Sequence, residues 1–179
     1  MPPPIQVELV PHDPAWAEIA AEYSHKLTEA LGTLLIAVYH IGSTAIPGIC
    51  AKPVIDLMPV VGSLELLDRS RSKVEALGYE WWGELGLPGR RYCSKDDSVT
   101  SARLAQLHCY EEGSPEIIRH LAFRDYLSKH SDLARQYEQL KRECQVRHRG
   151  DSHAYSDCKS KWIQRIEAEA VDHFSSATR

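Results

Sequence analysis

The chain has 179 residues, 43% of them hydrophobic, enough to bury one sizeable core or one core carrying a helical appendage. Its net charge of -4, with acids and bases interleaved, offers no broad basic footprint and disfavours nucleic acid as a partner, while leaving room for a local phosphate pocket. No apolar run approaches the roughly 20 residues of a membrane span, and the opening Met1-Pro2-Pro3-Pro4 lacks the charged and apolar regions of a secretory signal, so the expectation is one cytoplasmic domain with no membrane partner.

In chain order, Ile5 to Val10 alternates apolar and polar side chains, the period of a half-buried strand, and Pro11 ends it. Asp13-Pro14 is a cap and first turn; Trp16, Ile19, Ala20, Tyr23, Leu27, Ala30 and Leu31 then recur at helical spacing until Gly32. Leu34 to Ile41 and Pro53 to Val61 read as two strands flanking a constrained loop that holds Gly42, Pro47 and Gly48. Ser63 caps a helix with Leu67, Val74 and Leu77 on one face, closed by Gly78. Short strands follow at Tyr79 to Trp82, Arg91 to Cys93 and Arg103 to Tyr110, with turns at Leu87-Pro88-Gly89 and around Asp96-Asp97. From residue 113 on the pattern is helical, with starts at Ser114-Pro115, Ser131 and Asp151. Leu133, Tyr137, Leu140 and Cys144 form one packing stripe, and Cys158, Trp162 and Ile166 another. The five cysteines, Cys50, Cys93, Cys109, Cys144 and Cys158, include no CxxC pair or metal-finger spacing and read as reduced core thiols.

Chemistry concentrates around the loop. Gly42, Ser43 and Thr44 sit where a strand ends, so their N–H groups and hydroxyls are suited to phosphate oxygens. The same small residues also serve simple chain reversal. Asp56 lies in the next strand between Ile55 and Leu57, and a carboxylate in an apolar strand needs a counter-charge. A salt bridge to Lys52 or to an arginine meets that need nearly as well as a metal does.

Together, a Gly-Ser turn after one strand and an aspartate in the next resemble the entry signature of the nucleotidyltransferase superfamily. More closely, His40-Ile41-Gly42-Ser43-Thr44-Ala45-Ile46-Pro47-Gly48 with Ala51-Lys52-Pro53-Val54-Ile55-Asp56-Leu57 is similar to the hallmark of the GrpB family. The resemblance continues through Val10 to Trp16, Pro88 to Tyr92, Gln106-Leu107-His108, Arg119 to Leu127, Tyr137 to Lys141 and Tyr155 to Lys159. It implies an α/β (α+β) fold, a nucleotidyltransferase-like mixed β-sheet flanked by helices with a helical C-terminal part. It further implies a nucleotide or other phosphorylated small molecule as ligand, with nucleotidyl transfer as the reaction class. Members also occur fused to dephospho-CoA kinases as a folding accessory, which makes a catalytically silent, protein-binding module the alternative.

In that superfamily divalent metal is held by several carboxylates. The first maps to Asp56; the second place is Met58, too soft for magnesium, and the third falls near Gln106. The metal expectation is therefore a single Mg2+ or Mn2+ on Asp56, aided by substrate phosphates, and not a pair. Arg90 and Arg91 point to opposite faces of a strand, and Arg91, next to Tyr92-Cys93, is taken as the phosphate partner together with Lys52. His108 shares a face with Gln106 and is the candidate base beside Asp56; His40 precedes the turn and suits the same roles. Arg124 and Lys159 are candidates for closing the cleft from helices, although either residue type is ordinary on a helix surface. No G-x-S-x-G elbow, Walker loop or H-E-x-x-H pattern supports a hydrolase or kinase.

Overall fold

A computed structural model describes residues 3–177, so Met1 and Pro2 of the opening segment lie outside the described residues. The first helix, α1 (Ala15–Leu31), starts where the Asp13 carboxylate accepts the Ala15 N–H at 2.9 Å, and it ends at Gly32, whose φ of +56° suits a residue without a side chain. Its Trp16, Ala20, Leu27 and Leu31 are buried, as the helical spacing requires.

Five strands make one mixed sheet: β1 (Leu35–Ile41), β2 (Ile55–Val61), β3 (Glu80–Gly83), β4 (Arg90–Asp96) and β5 (Arg103–Glu111), in the order β1-β2-β5-β4-β3. Strand β2 runs antiparallel to β1 and parallel to β5, and the remaining pairs are antiparallel. A strand paired on both sides and covered on both faces must be apolar almost throughout. In β2 every residue except Asp56 is buried. Leu57, Leu107, Cys93 and Cys109 face α1 in the largest core cluster, which Val74 also joins.

The segment expected as one helix from Ser63 to Gly78 is two short ones, α2 (Leu64–Arg69) and α3 (Arg71–Glu75). They part at Ser70, whose ψ of 9° leaves helical geometry. The Ser63 hydroxyl caps α2 by accepting the Leu66 N–H at 3.3 Å. Three helices complete the chain: α4 (Pro115–Lys129), α5 (Ser131–Arg147) and α6 (Ser152–Ala177). Asp151 caps the last, accepting from the His153 and Ala154 N–H groups at 2.9 and 3.1 Å. Helix α4 covers the second sheet face, where Ile117 and Leu121 pack on Ile41, Met58 and Tyr110. The 42–52 loop docks its Ile46 and Ile49 among Leu127, Tyr137 and Ile166 of α4, α5 and α6. That packing holds the loop against the helices.

Two sequence expectations are corrected. Residues 5–10 form no strand; Val7 is fully buried against Cys144 and Tyr155, its N–H bonds the Arg149 carbonyl at 2.8 Å, and only Val10 bridges to Ala51. A period of two reports extended backbone with one buried side, and here helices supply the burying surface. Cys144 and Cys158 are not reduced thiols but a disulfide between α5 and α6, whose packing brings their Cα atoms to 5.9 Å, within bridging range. Cys50, Cys93 and Cys109 are free and buried, as expected. Among the described residues no helix is long and apolar enough to cross a membrane.

A lysine-lined candidate site beside Asp56

The strand register builds the site. Asp56 pairs with Ile41 on one side and Gln106 on the other, so the carboxylate lies at the foot of the Gly42 turn with the Gln106 amide alongside. Gly42 has φ +70° and ψ −170°, a region that effectively only glycine enters. A Cβ at this position would stand 2.5 Å from Asp56 Oδ2. Glycine is required twice over, by the backbone conformation and by the close approach of Asp56.

A pocket of about 190 Å³ opens above this pair, lined by Gly42, Ser43 and Thr44, by Lys52, Asp56 and Gln106, and by residues of α5 and α6. The helices contribute two matching pairs at i, i+4 spacing. Lys141 Nζ lies 4.8 Å from the centre of the Tyr137 ring, and Lys159 Nζ lies 4.0 Å from that of Tyr155. Lys52 approaches the same Tyr155 ring at 5.6 Å. Ser43 Oγ is 3.5 Å from the Tyr137 hydroxyl, joining loop to helix.

The three lysines strain against their surroundings. Burial pushes the Lys159 ammonium down to about 7, the charges of Lys52 and Lys141 push the same way, and Asp56 opposes them. Burial also lowers Lys141 to about 8, against the pull of Glu138 and Cys50. Lys141 donates a hydrogen bond to the Cys50 carbonyl. Lys52 is lowered by burial too, again opposed by Asp56. Asp56 is the one carboxylate among the residues lining this pocket, so positive charge is in surplus.

A second, larger cavity of about 660 Å³ adjoins the first across Lys52, Gln106 and Ser156, and is walled by Leu85, Leu87, Arg90, Tyr92 and Arg103. Arg90 is 8% exposed, donates to the Leu85 carbonyl at 3.0 Å, and stacks its guanidinium 5.2 Å from the Tyr92 ring centre.

Of the residues expected from sequence, Gly42, Ser43, Thr44, Lys52, Asp56, Gln106 and Lys159 come together at the pocket. His108 stands behind Asp56, its Nε2 3.4 Å from Oδ1, and its Nδ1 is buried without a hydrogen-bond partner. His120, driven down to about 2 by burial and by the neighbouring His108, Arg119 and Arg90, packs 5.8 Å from the His108 ring. Arg91 is a correction: it leaves the pocket face and forms a two-pronged pair with Asp68, at 2.6 and 2.7 Å. Register explains this, because Arg90 pairs with Tyr110 on the Asp56 face and Arg91 with Cys109 on the α1 face. His40 is a second correction. It pairs with Leu57, on the face opposite Asp56, and its Nε2 meets Thr44 Oγ1 at 2.8 Å, bracing the loop from behind. Arg124 closes no cleft; it binds Asp125 at 2.7 Å and donates to the His40 carbonyl at 2.9 Å, tying α4 to the end of β1.

The metal set of the superfamily does not fit these residues. Met58 is fully buried in the apolar cluster beneath α4, and Gln106, where the resemblance puts the third carboxylate, pairs directly with Asp56 and carries no charge. Among the described residues no group of three or more His, Cys, Asp or Glu is disposed to hold a metal ion. A pair of divalent ions needs several carboxylate oxygens, and lysines crowd the one carboxylate present.

A sheet with β2 between antiparallel and parallel neighbours, a Gly-Ser turn before it and an aspartate within it define a nucleotidyltransferase-type fold. The solved Cid1 poly(U) polymerase with MgGTP bound aligns with a TM-score of 0.52 at 13% identity, covering 80% of this chain and 45% of that one, a likeness of fold. The chain belongs to the GrpB protein family, whose sequence profile matches residues 6–169. The crystal structure of GrpB from Enterococcus faecalis aligns with a TM-score of 0.86 and 36% identity over 93% of this chain and 99% of that one. UPF0157 protein YqkA of Bacillus subtilis is 38% identical over 168 residues, 94% of this chain and 48% of YqkA. A dephospho-CoA kinase of Mycolicibacterium paratuberculosis is 30% identical over 188 aligned residues, 93% of this chain and 46% of that protein. The chain thus spans about half the length of these two relatives.

Proposed function

We propose that the chain binds a phosphorylated small molecule, with nucleotides the first class to test, its phosphate head between the Gly42-Ser43-Thr44 turn and the lysines and its organic part in the adjoining cavity. The observation that carries this reading is the convergence of Lys52, Lys141 and Lys159, from three separate elements, on a pocket that holds one carboxylate. Surface lysines keep to water; buried ones without a matching set of acids either release their protons or take an anionic partner, and a phosphate supplies one. Size supports the division of the ligand. The pocket's 190 Å³ is below the roughly 300–1,000 Å³ of whole-ligand sites, whereas the neighbouring 660 Å³ suits a nucleoside-sized body.

Thermal unfolding with inorganic pyrophosphate and with each common nucleoside triphosphate tests this. A ligand at a hundred times its dissociation constant adds about 2.7 kcal/mol to native stability, a rise in Tm of several degrees. The rise is expected in the wild type and absent in Lys159→Met. No rise with any of these compounds favours the second reading, a protein-binding accessory module, whose support is the similarity to a region of a dephospho-CoA kinase together with the missing carboxylates.

A further inference from the structure

The charge pattern of the pocket says how its ligand is neutralised. A polyphosphate held by two divalent ions needs carboxylates on the protein side, and the ions then bridge protein to phosphate. Here the arrangement is inverted. The second acidic place is Met58, sealed in an apolar cluster, and the third is the uncharged Gln106 amide. In their stead three ammonium groups enter from the 42–52 loop, α5 and α6.

We propose, resting on the phosphate-binding reading above, that Lys52, Lys141 and Lys159 take over the work of the divalent ions, so that the pocket binds the phosphate or diphosphate head of its ligand directly as a metal-free anion.

Three features of the site agree with this. The lysines are fixed in advance: Lys141 by the Cys50 carbonyl and the Tyr137 ring, Lys159 and Lys52 by the Tyr155 ring that both approach. Their mutual repulsion, which burial sharpens, is offset without a ligand by the two rings and Asp56, and an anion relieves it. Asp56 then acts as an internal counter-ion that an incoming phosphate displaces, and not as the ligand's anchor. The bare Gly42 leaves room for Asp56 on one side and His108 Nε2 lies 3.4 Å from its Oδ1 on another, which keeps the carboxylate at the floor of the pocket. A magnesium-bound phosphate would bring its own positive charge among three ammonium groups, an arrangement that like-charge repulsion opposes.

The roles predicted for Asp56 are opposite in the two schemes, and this makes the inference testable. Isothermal titration of ATP and of inorganic pyrophosphate is performed on the wild type, Asp56→Asn and Lys159→Met, in EDTA and again with magnesium or manganese; circular dichroism confirms that each variant is folded. Binding in EDTA at least as tight as with the metals, retained or tightened several-fold in Asp56→Asn and weakened tenfold or more in Lys159→Met, is the expected result. Binding that needs magnesium or manganese, or that disappears in Asp56→Asn, overturns the metal-free scheme while leaving the phosphate ligand standing. An absence of binding in every buffer overturns both.

Discussion

Replacing Lys159 by methionine is expected to make the ligand-free protein more stable while removing its affinity for phosphate. Lys159 is 9% exposed, and its ammonium is surrounded by Lys52, Lys141, Asp56 and the Tyr155 ring. The shift from 10.5 to about 7 corresponds to about 5 kcal/mol of cost for the charged form. Methionine gives up the cation's contact with the ring, worth about 2 kcal/mol when desolvated. Near neutral pH the lysine also escapes part of its cost by releasing its proton. The net expectation is a gain of about 2 kcal/mol at pH 7, or about 4–8 °C in Tm for a chain of this size. The dependence on pH has a definite sign. Between about pH 7 and 10.5 the unfolded chain holds the Lys159 proton and the native chain does not, so the lysine's penalty is complete below that window and vanishes above it. The stability advantage of the methionine variant must therefore shrink as pH rises from 7 to 10. Urea unfolding of both proteins at several pH values measures it. A variant less stable than the wild type at pH 7, or an advantage that grows with pH, refutes the reasoning that Lys159 is held at a cost for the sake of a ligand.

Three further outcomes follow from the geometry. Gly42→Ala forces a side chain into left-handed backbone and onto the Asp56 carboxylate; a loss of about 1–3 kcal/mol in chemical unfolding, together with loss of any phosphate-induced stabilisation, is expected. Alkylation of the unreduced, denatured chain followed by mass spectrometry should tag Cys50, Cys93 and Cys109 only, and reduction of the Cys144–Cys158 bridge, which spans 14 residues, should cost about 3 kcal/mol. Arg91→Ala should leave phosphate affinity unchanged, because the pair with Asp68 lies on the other face, and lower stability by about 1–3 kcal/mol, because the mostly buried guanidinium binds both Asp68 oxygens.

Much of the fold was legible because its signals are local. The Asp13 and Gly32 boundaries of α1, the Ser114-Pro115 start of α4 and the two strands around the 42–52 loop depend on caps, turns and periodicity, and they stand where those signals put them. The place of Gln106 across from Asp56 was legible too, since the resemblance predicts which strand supplies the third position. What failed depended on partners distant in sequence. Alternation correctly put Arg90 and Arg91 on opposite faces, but the choice between faces required the pairing of β4 with β5. The half-buried segment at residues 5–10 looked like a strand because helices can bury an extended chain as well as a sheet can.

The missed site residues carry a plainer lesson. Tyr137 looked like core, and it is core; Tyr155, also buried, and Lys141 were visible only as parts of family motifs. The signal available in the sequence was the repetition of Tyr-x-x-x-Lys in two consecutive helices, which places a cation one turn from an aromatic ring on the same face each time. Neither pair is informative alone. The packing of α5 on α6 brings both to the same pocket.

A crystal structure of the chain grown with ATP tests most directly whether this pocket receives phosphate. A phosphate group is expected between the Gly42-Ser43-Thr44 turn and the Lys52 and Lys159 ammonium groups, with the nucleoside directed past Gln106 into the larger cavity. ATP bound elsewhere, or a pocket without phosphate at saturating ATP, would contradict it.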